Sequence, residues 1–310
     1  FINDIAISLT GKIKSGPALS AVVASGLMGS INGSAVANVV GTGTFTNSVG
    51  NSYTTRTITL TAMDGQSYTY PCSKTSIDEG NIVSVGFGSS GTDVSILKST
   101  NISGKVSGPT IGKKTMANDV RILDVNDTSA KRIYYSRLNG AELESSDVRY
   151  CAVNVNGEIT DLILRDFTGD LYEYGIITSA KETSDDMSLS GTYTYLLNGE
   201  KRTLSTMNMT LGASYGPARL TIEDGQLSAV RALYKIKNPD SATLLGVTKD
   251  SDSWLFADDC AVYLYRNSTY SLLSLTELRN NFDKYNITCY YDKDTKDGGR
   301  IRIVTVQEKA

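Results

Sequence analysis

The sequence predicts a mainly β protein: two related small antiparallel β-barrel or sandwich domains preceded by a short helical, small-residue-rich N-terminal segment. Three observations carry that expectation. Short alternating runs are joined at Asp64-Gly65, Asn156-Gly157, Asn198-Gly199 and Asp224-Gly225, dipeptides that accept the positive φ of tight hairpin turns. Tyrosine is abundant, 18 against 6 phenylalanines and the single Trp254, which suits half-exposed strands where the ring packs and the hydroxyl stays wet. The third observation is an internal duplication.

Residues 1–46 differ in texture from everything after them. The run free of charge that starts after Lys14 passes beyond Thr46, but glycine, serine and asparagine break it repeatedly. Its helix-compatible core, Ala18 to Met28, falls well short of the roughly 20 residues that span a bilayer. A second apolar run, Ala35 to Val40, follows the break at Ser30, Asn32, Gly33 and Ser34, so a hairpin of two half-helices is expected. In a membrane bundle, unwound backbone at such a break coordinates ions.

From Tyr53 onward the chain reads as strands, in two copies at 52–178 and 190–310. DVRILDV from Asp119 lines up with DCAVYLY from Asp259, RLNGAEL ending at Leu143 with SLTEL ending at Leu278, and VRYCAV from Val148 with ITCYYD from Ile287. Each copy closes with a return strand, EITDLILRD in the first and GRIRIVTVQE in the second. Upstream, the Asp64-Gly65 hairpin matches the one at Asn198-Gly199, and GNIVSVGF from Gly80 is aligned with GQLSAVRAL from Gly225. The polar stretch SAKETSDDMSLS, 179–190, reads as the linker.

Composition narrows the function. The 30 basic and 33 acidic residues are spread without a basic block, so no nucleic-acid partner is expected. Histidine is absent, which removes the commonest general base, the Ser-His and Cys-His arrangements and imidazole zinc sites. Cys72, Cys151, Cys260 and Cys289 are widely separated and read as isolated buried thiols, with a disulfide left open. No segment after Asn47 offers 18 uninterrupted apolar residues, so no membrane span is expected of the chain.

Candidate chemistry is sparse. Asp292, Asp294 and Asp297 in DKDTKDGG are oxygen ligands for Ca²⁺ in principle, but Lys296 and Asp297 stand where an EF-hand loop needs a ligand and glycine. Asp166, Asp170 and Glu173 place three carboxylates close together, the residue type glycoside hydrolysis uses, although acid pairs at strand ends are common. GTGTFT lacks the lysine of a phosphate loop, and NDTS and NSTY match glycosylation sequons but read as turns. Tyrosines of YTY, YEYG and ITCYYD are able to stack on sugars, though strand-face packing accounts for them. No catalytic residue and no cofactor is expected.

Two resemblances add to this reading. Gly29, Gly33, Ser34, Ala37, Asn38, Val39, Thr42, Gly43 and Thr46 follow a GxxGSxxANVxxTGxxT pattern that resembles the large permease subunit of TRAP transporters, Na⁺-coupled importers of organic acids. The resemblance implies a Na⁺ or substrate site at Ser34 and Asn38 with carbonyls near Gly33 and Gly43. Residues 52–310, especially DVRILDV, ITDLILRDFTGDLYEYG and DGGRIRIV, resemble the repeated β-modules of surface proteins from Gram-positive anaerobes that carry S-layer homology domains elsewhere. The second resemblance, with the duplication, the missing histidine and the missing site motifs, implies a bacterial cell-envelope or extracellular module, non-enzymatic, structural or adhesive, with cell-wall components, glycans or surface proteins as partners. Alternatives are a TRAP permease fragment and a carbohydrate-binding module. A chimaera joined near Thr46 and Asn47 reconciles both, and places the start of the foldable part just after Thr46.

Overall fold

The computed structural model describes residues 31–46, 50–88, 91–185 and 188–309. In it, the expected second half-helix is instead part of a strand, β1 (Ile31–Thr46). Val36, Val39, Val40, Thr42, Thr44 and Thr46 are β-branched, stiff in a helix and well suited to an extended backbone with a partner on each side. β2 (Ser52–Ala62), β3 (Ser67–Pro71), β4 (Ile82–Gly88) and β5 (Gly91–Ile96) complete an antiparallel sheet in the order β3-β2-β1-β4-β5. β1 is its centre, running from Ala35 opposite Ala62 to Thr46 opposite Ser52. The fold is therefore under way before Thr46, because without β1 the strand β2 loses its longest pairing and β4 keeps β5 alone as a neighbour. The other half-helix, Ala18 to Met28, lies outside the described residues.

The chain continues through β6 (Gly104–Ser107), β7 (Thr110–Ile111), β8 (Lys114–Val125), β9 (Ala130–Ile133), β10 (Glu142–Leu143), β11 (Val148–Val153) and β12 (Ile159–Arg165). It divides into two units, the first holding the described residues up to 103 with 109–136 and 144–165, the second holding 104–108, 137–143 and 166 onward. In unit 1 the second sheet runs β8-β12-β11, with β7 and β9 also on β8. Ala35, Ala37, Ile58, Leu60, Val83, Val85 and Val94 fill one face of the first sheet, capped by Ile77 from the loop after β3. Val36, Met63 and Ile82 on its other face pack on Leu123, Val125, Tyr150 and Ile163 of the second sheet. Each such fully buried aliphatic side chain contributes roughly 1.5–3 kcal/mol.

Unit 2 repeats the plan. β13 (Glu173–Asp185), β14 (Ser188–Leu197), β15 (Glu200–Ser205), β16 (Gly216–Glu223) and β17 (Gln226–Ala232) form a sheet ordered β15-β14-β13-β16-β17. β18 (Tyr234–Lys237), β19 (Ser241–Ala242), β20 (Gly246–Lys249), β21 (Asp252–Arg266), β22 (Thr269–Leu273), α1 (Leu275–Asn280), β23 (Tyr285–Tyr291) and β24 (Ile301–Glu308) follow. Their order is β18-β23-β24-β21-β20-β19, with β22 on β21. β6 and β10, from the first sequence copy, pair with each other and belong to this unit.

Three details differ from the sequence reading. The stretch 179–190 is not a linker but the paired ends of β13 and β14, closing at Asp185 opposite Ser188; its polarity is that of a solvated hairpin. The counterpart of β13 in the first copy is β1, so the repeat begins inside the segment set apart as transporter-like. GNIVSVGF, which is β4, consequently matches β16, while GQLSAVRAL is β17. In addition, β8 and β12, like β21 and β24, are parallel neighbours, because the chain crosses over between them instead of turning back directly.

Candidate functional site

Two groups of buried charge stand out, one in each unit. In unit 2, the turn leading from β12 to β13, the segment 137–143 and the start of β24 converge on Arg302, whose side chain is 1% exposed. Arg302 donates from Nη1 to Asp170 at 2.7 Å, and from Nε and Nη2 to Asp292 at 2.9 and 2.7 Å. Arg137 donates to the same Asp170 from Nε and Nη2, at 2.8 and 2.9 Å. The Thr168 carbonyl accepts from both guanidiniums, at 2.6 and 2.5 Å. Tyr174 lies with its ring 4.5 Å from the Arg302 guanidinium carbon, its hydroxyl within 2.8 Å of the Gly169 carbonyl and 2.9 Å of Asp292. Two glycines permit this approach: at φ 70 a Cβ on Gly169 would strike the Asp292 carboxylate, and at φ 81 one on Gly298 would strike the Phe167 carbonyl.

The electrostatics follow from that enclosure. Burial alone pushes the Asp170 carboxyl up, but Arg137 and Arg302 outweigh it and hold the group at about 2. Burial lowers the Arg302 guanidinium, yet Tyr174, Asp292 and Asp170 more than offset it. Arg300 falls to about 10, through burial first and then repulsion from Arg137 and Arg302. Burial also drives the Tyr174 hydroxyl upward. A carboxylate held that low is a poor general base near neutrality, so the arrangement acts as an internal cross-link.

In unit 1 the buried Ser34 and Asp161 meet the half-buried Arg121. Ser34 donates to Asp161 from its hydroxyl at 3.0 Å, and Arg121 grips the same carboxylate from Nε at 2.8 Å and Nη2 at 3.0 Å. Asp161 faces Arg121 across the parallel β8 and β12 ladder. The matching ladder position in unit 2 is Ala261 beside Ile303, and Tyr174 stands two residues before Ile176 as Ser34 stands two before Val36. All three unit 2 residues are apolar contacts of one core cluster.

The residues singled out in the sequence are thus distributed as follows. Gly33, Ser34, Asn38 and Gly43 lie along β1, where Ser34 serves Asp161 and the Asn38 amide donates to the Thr61 hydroxyl beside a bulge. Asp292 belongs to the arginine cluster, whereas the Asp294 carbonyl accepts from the Asp297 and Gly299 amides. No group of three or more His, Cys, Asp or Glu placed to hold a metal occurs among the described residues. Asp166 accepts from the Tyr172 hydroxyl at 2.5 Å, and Glu173 from the Tyr195 hydroxyl at 2.9 Å, so the acids near Asp170 turn to separate partners. Tyr172 lies under Arg219, Tyr290 under Lys235, and Tyr291 against Tyr234 and Trp254, so several candidate sugar-stacking rings are engaged. The four cysteines are free thiols, with Cys151 and Cys289 at matching positions. Sequence reading missed Arg137, Arg300 and Arg302; the available signal was two arginines in the otherwise apolar GRIRIV.

No curated protein and no solved structure matches this chain. One family model does. Residues 1–54 match the tripartite ATP-independent periplasmic transporter, DctM component. That is 54 of 310 residues, and the described part of the DctM match is β1 with the first residues of β2. Among the described residues no helix is long and apolar enough to cross a membrane.

Proposed function

We propose that the chain is a non-enzymatic structural or adhesive module of a bacterial cell surface, built of two copies of one β-fold. The observation that carries this reading is the repetition of the same strand order in both units. Tandem repetition suits a spacer or adhesive array, whose span grows with copy number. The ion pairs and hydrogen bonds that engage Asp170, Asp292 and Asp161 support a structural use of these charges. Glycans, cell-wall components and other surface proteins are the partners this reading implies.

Protease treatment of intact cells, followed by peptide identification, tests it. Peptides from both copies should be released before lysis; their appearance only after lysis overturns a surface location. A second reading, a piece of a TRAP permease, is favoured by the DctM match over 1–54. It predicts recovery with the membrane fraction and Na⁺-dependent binding of an organic acid, which the surface reading does not. A peptide crossing Thr46 and Asn47 in the same digest would exclude two separate proteins read as one, whereas detection of both flanks without it would establish that.

A further inference from the structure

Among the described residues, the arginine cluster of unit 2 carries more positive than negative charge. Arg137, Arg300 and Arg302 bring three positive charges against the two carboxylates of Asp170 and Asp292. The backbone amide of Arg300 donates to Asp292, but its guanidinium, buried like that of Arg302, donates to the carbonyls of Gly299, Arg137 and Asn139 and forms no ion pair among the described residues. An uncompensated buried charge is costly unless a counter-charge reaches it.

Two further atoms point to where a counter-charge belongs. Arg137 Nη1 and Thr295 Oγ1 are buried and without a hydrogen-bond partner among the described residues, and the Arg137 side chain is only 8% exposed. Both belong to residues next to Arg300: the Arg137 backbone carbonyl accepts from its Nη2 at 2.6 Å, and Thr295 lies on the turn that leads into it. A Cβ on Gly140, in the segment carrying Arg137, would sit 3.4 Å from Thr295 Cγ2, so segment and turn are in contact. A water molecule would satisfy these donors but leave the charge. A bulky polyatomic anion is disfavoured by the close approach of the Gly140 segment to the Thr295 turn.

We propose that Arg137, Arg300 and Thr295 bind one monoatomic inorganic anion, a halide such as chloride, within unit 2. The site goes beyond the surface-module reading and stands independently of it. The anion completes the charge count and accepts from the guanidinium and the hydroxyl, so it adds to the stability of the fold without taking part in any reaction.

The test is thermal unfolding of the full chain in sodium chloride, sodium bromide and sodium gluconate at matched ionic strength. The midpoint should rise and saturate with chloride and bromide but not with gluconate. Thr295→Val, nearly isosteric, should abolish the halide-specific rise while leaving the gluconate midpoint within a few degrees. Equal midpoints in the three salts, or a halide rise that survives Thr295→Val, overturns the proposal. Should that variant fail to fold, crystals of the unaltered chain grown in bromide decide: an anomalous peak touching Arg137 Nη1 and Thr295 Oγ1 supports it, whereas ordinary water density or an adventitious ion elsewhere refutes it.

Discussion

Asp170 shows how far one side chain's surroundings set its chemistry. Its folded-state carboxyl, at about 2, lies below the ordinary value of 3.8, so ionisation favours the native state. The contribution, about 2 kcal/mol, is fully present above roughly pH 4 and is lost as the pH falls towards 2. Asp170→Asn should therefore flatten the acid limb of stability over that window, and at neutral pH cost about 3–5 kcal/mol by leaving Arg137 and Arg302 underpaired. Denaturant titrations from pH 2 to pH 7 check both; an unchanged acid limb would show that other groups govern it. The Ser34, Asp161 and Arg121 trio offers the reverse experiment, because unit 2 already places Tyr174, Ile303 and Ala261 at the matching positions. Arg121→Ala alone should destabilise by about 1–3 kcal/mol, because the buried Asp161 loses a charged partner that is itself half-exposed. Combined with Asp161→Ile it should recover most of that loss, because no buried charge remains unpaired, and a double-mutant cycle reads the coupling.

At the scale of the element, β1 matters most. It pairs with β2 along nearly its whole length and with β4 near its start, so its removal exposes two strand edges and the hydrophobic face built on Ala35 and Ala37. A chain starting at Asn51 should lose cooperative unfolding of unit 1 while unit 2 keeps its own, as hydrogen exchange would report residue by residue. Native-like protection of β2 and β4 in that truncation would mean that β1 is dispensable. Among the return strands, the parallel β8–β12 and β21–β24 pairs show why turn chemistry was an incomplete guide. Asn and Gly mark where a chain reverses, but a strand that comes back from a crossover carries no local sign of which neighbour it will choose.

For the whole molecule, the cysteines report on each unit separately. Burial pushes the Cys151 thiol up to about 11 and the Cys289 thiol up to about 12, and Cys260 also rises well above its ordinary value. Few thiolates are present near pH 8, so modification should await unfolding. Cys72 and Cys151 lie in unit 1, Cys260 and Cys289 in unit 2. Pulse labelling across a denaturant series, read by mass spectrometry, should show the two pairs exposed at different concentrations if the units unfold independently. Simultaneous exposure of all four would instead mark one cooperative transition.

The sequence by itself determined that the chain is mainly β, where the hairpins turn and that the pattern occurs twice, because these follow from local alternation and from glycine, asparagine and aspartate at turns. It also marked β8, β11 and β12 against their counterparts β21, β23 and β24, since those strands keep an apolar rhythm in both copies. Tertiary structure decided that Ile31–Thr46 is a central strand, because its glycine, alanine and serine residues set no clear strand alternation and its place in the sheet depends on the partners β2 and β4. Tertiary structure likewise decided the arginine cluster: Arg137 and Arg302 are distant in sequence, and nothing local says that one carboxylate, Asp170, will hold both. Buried charge is a property of what surrounds a residue, and the surroundings exist only once the chain has folded.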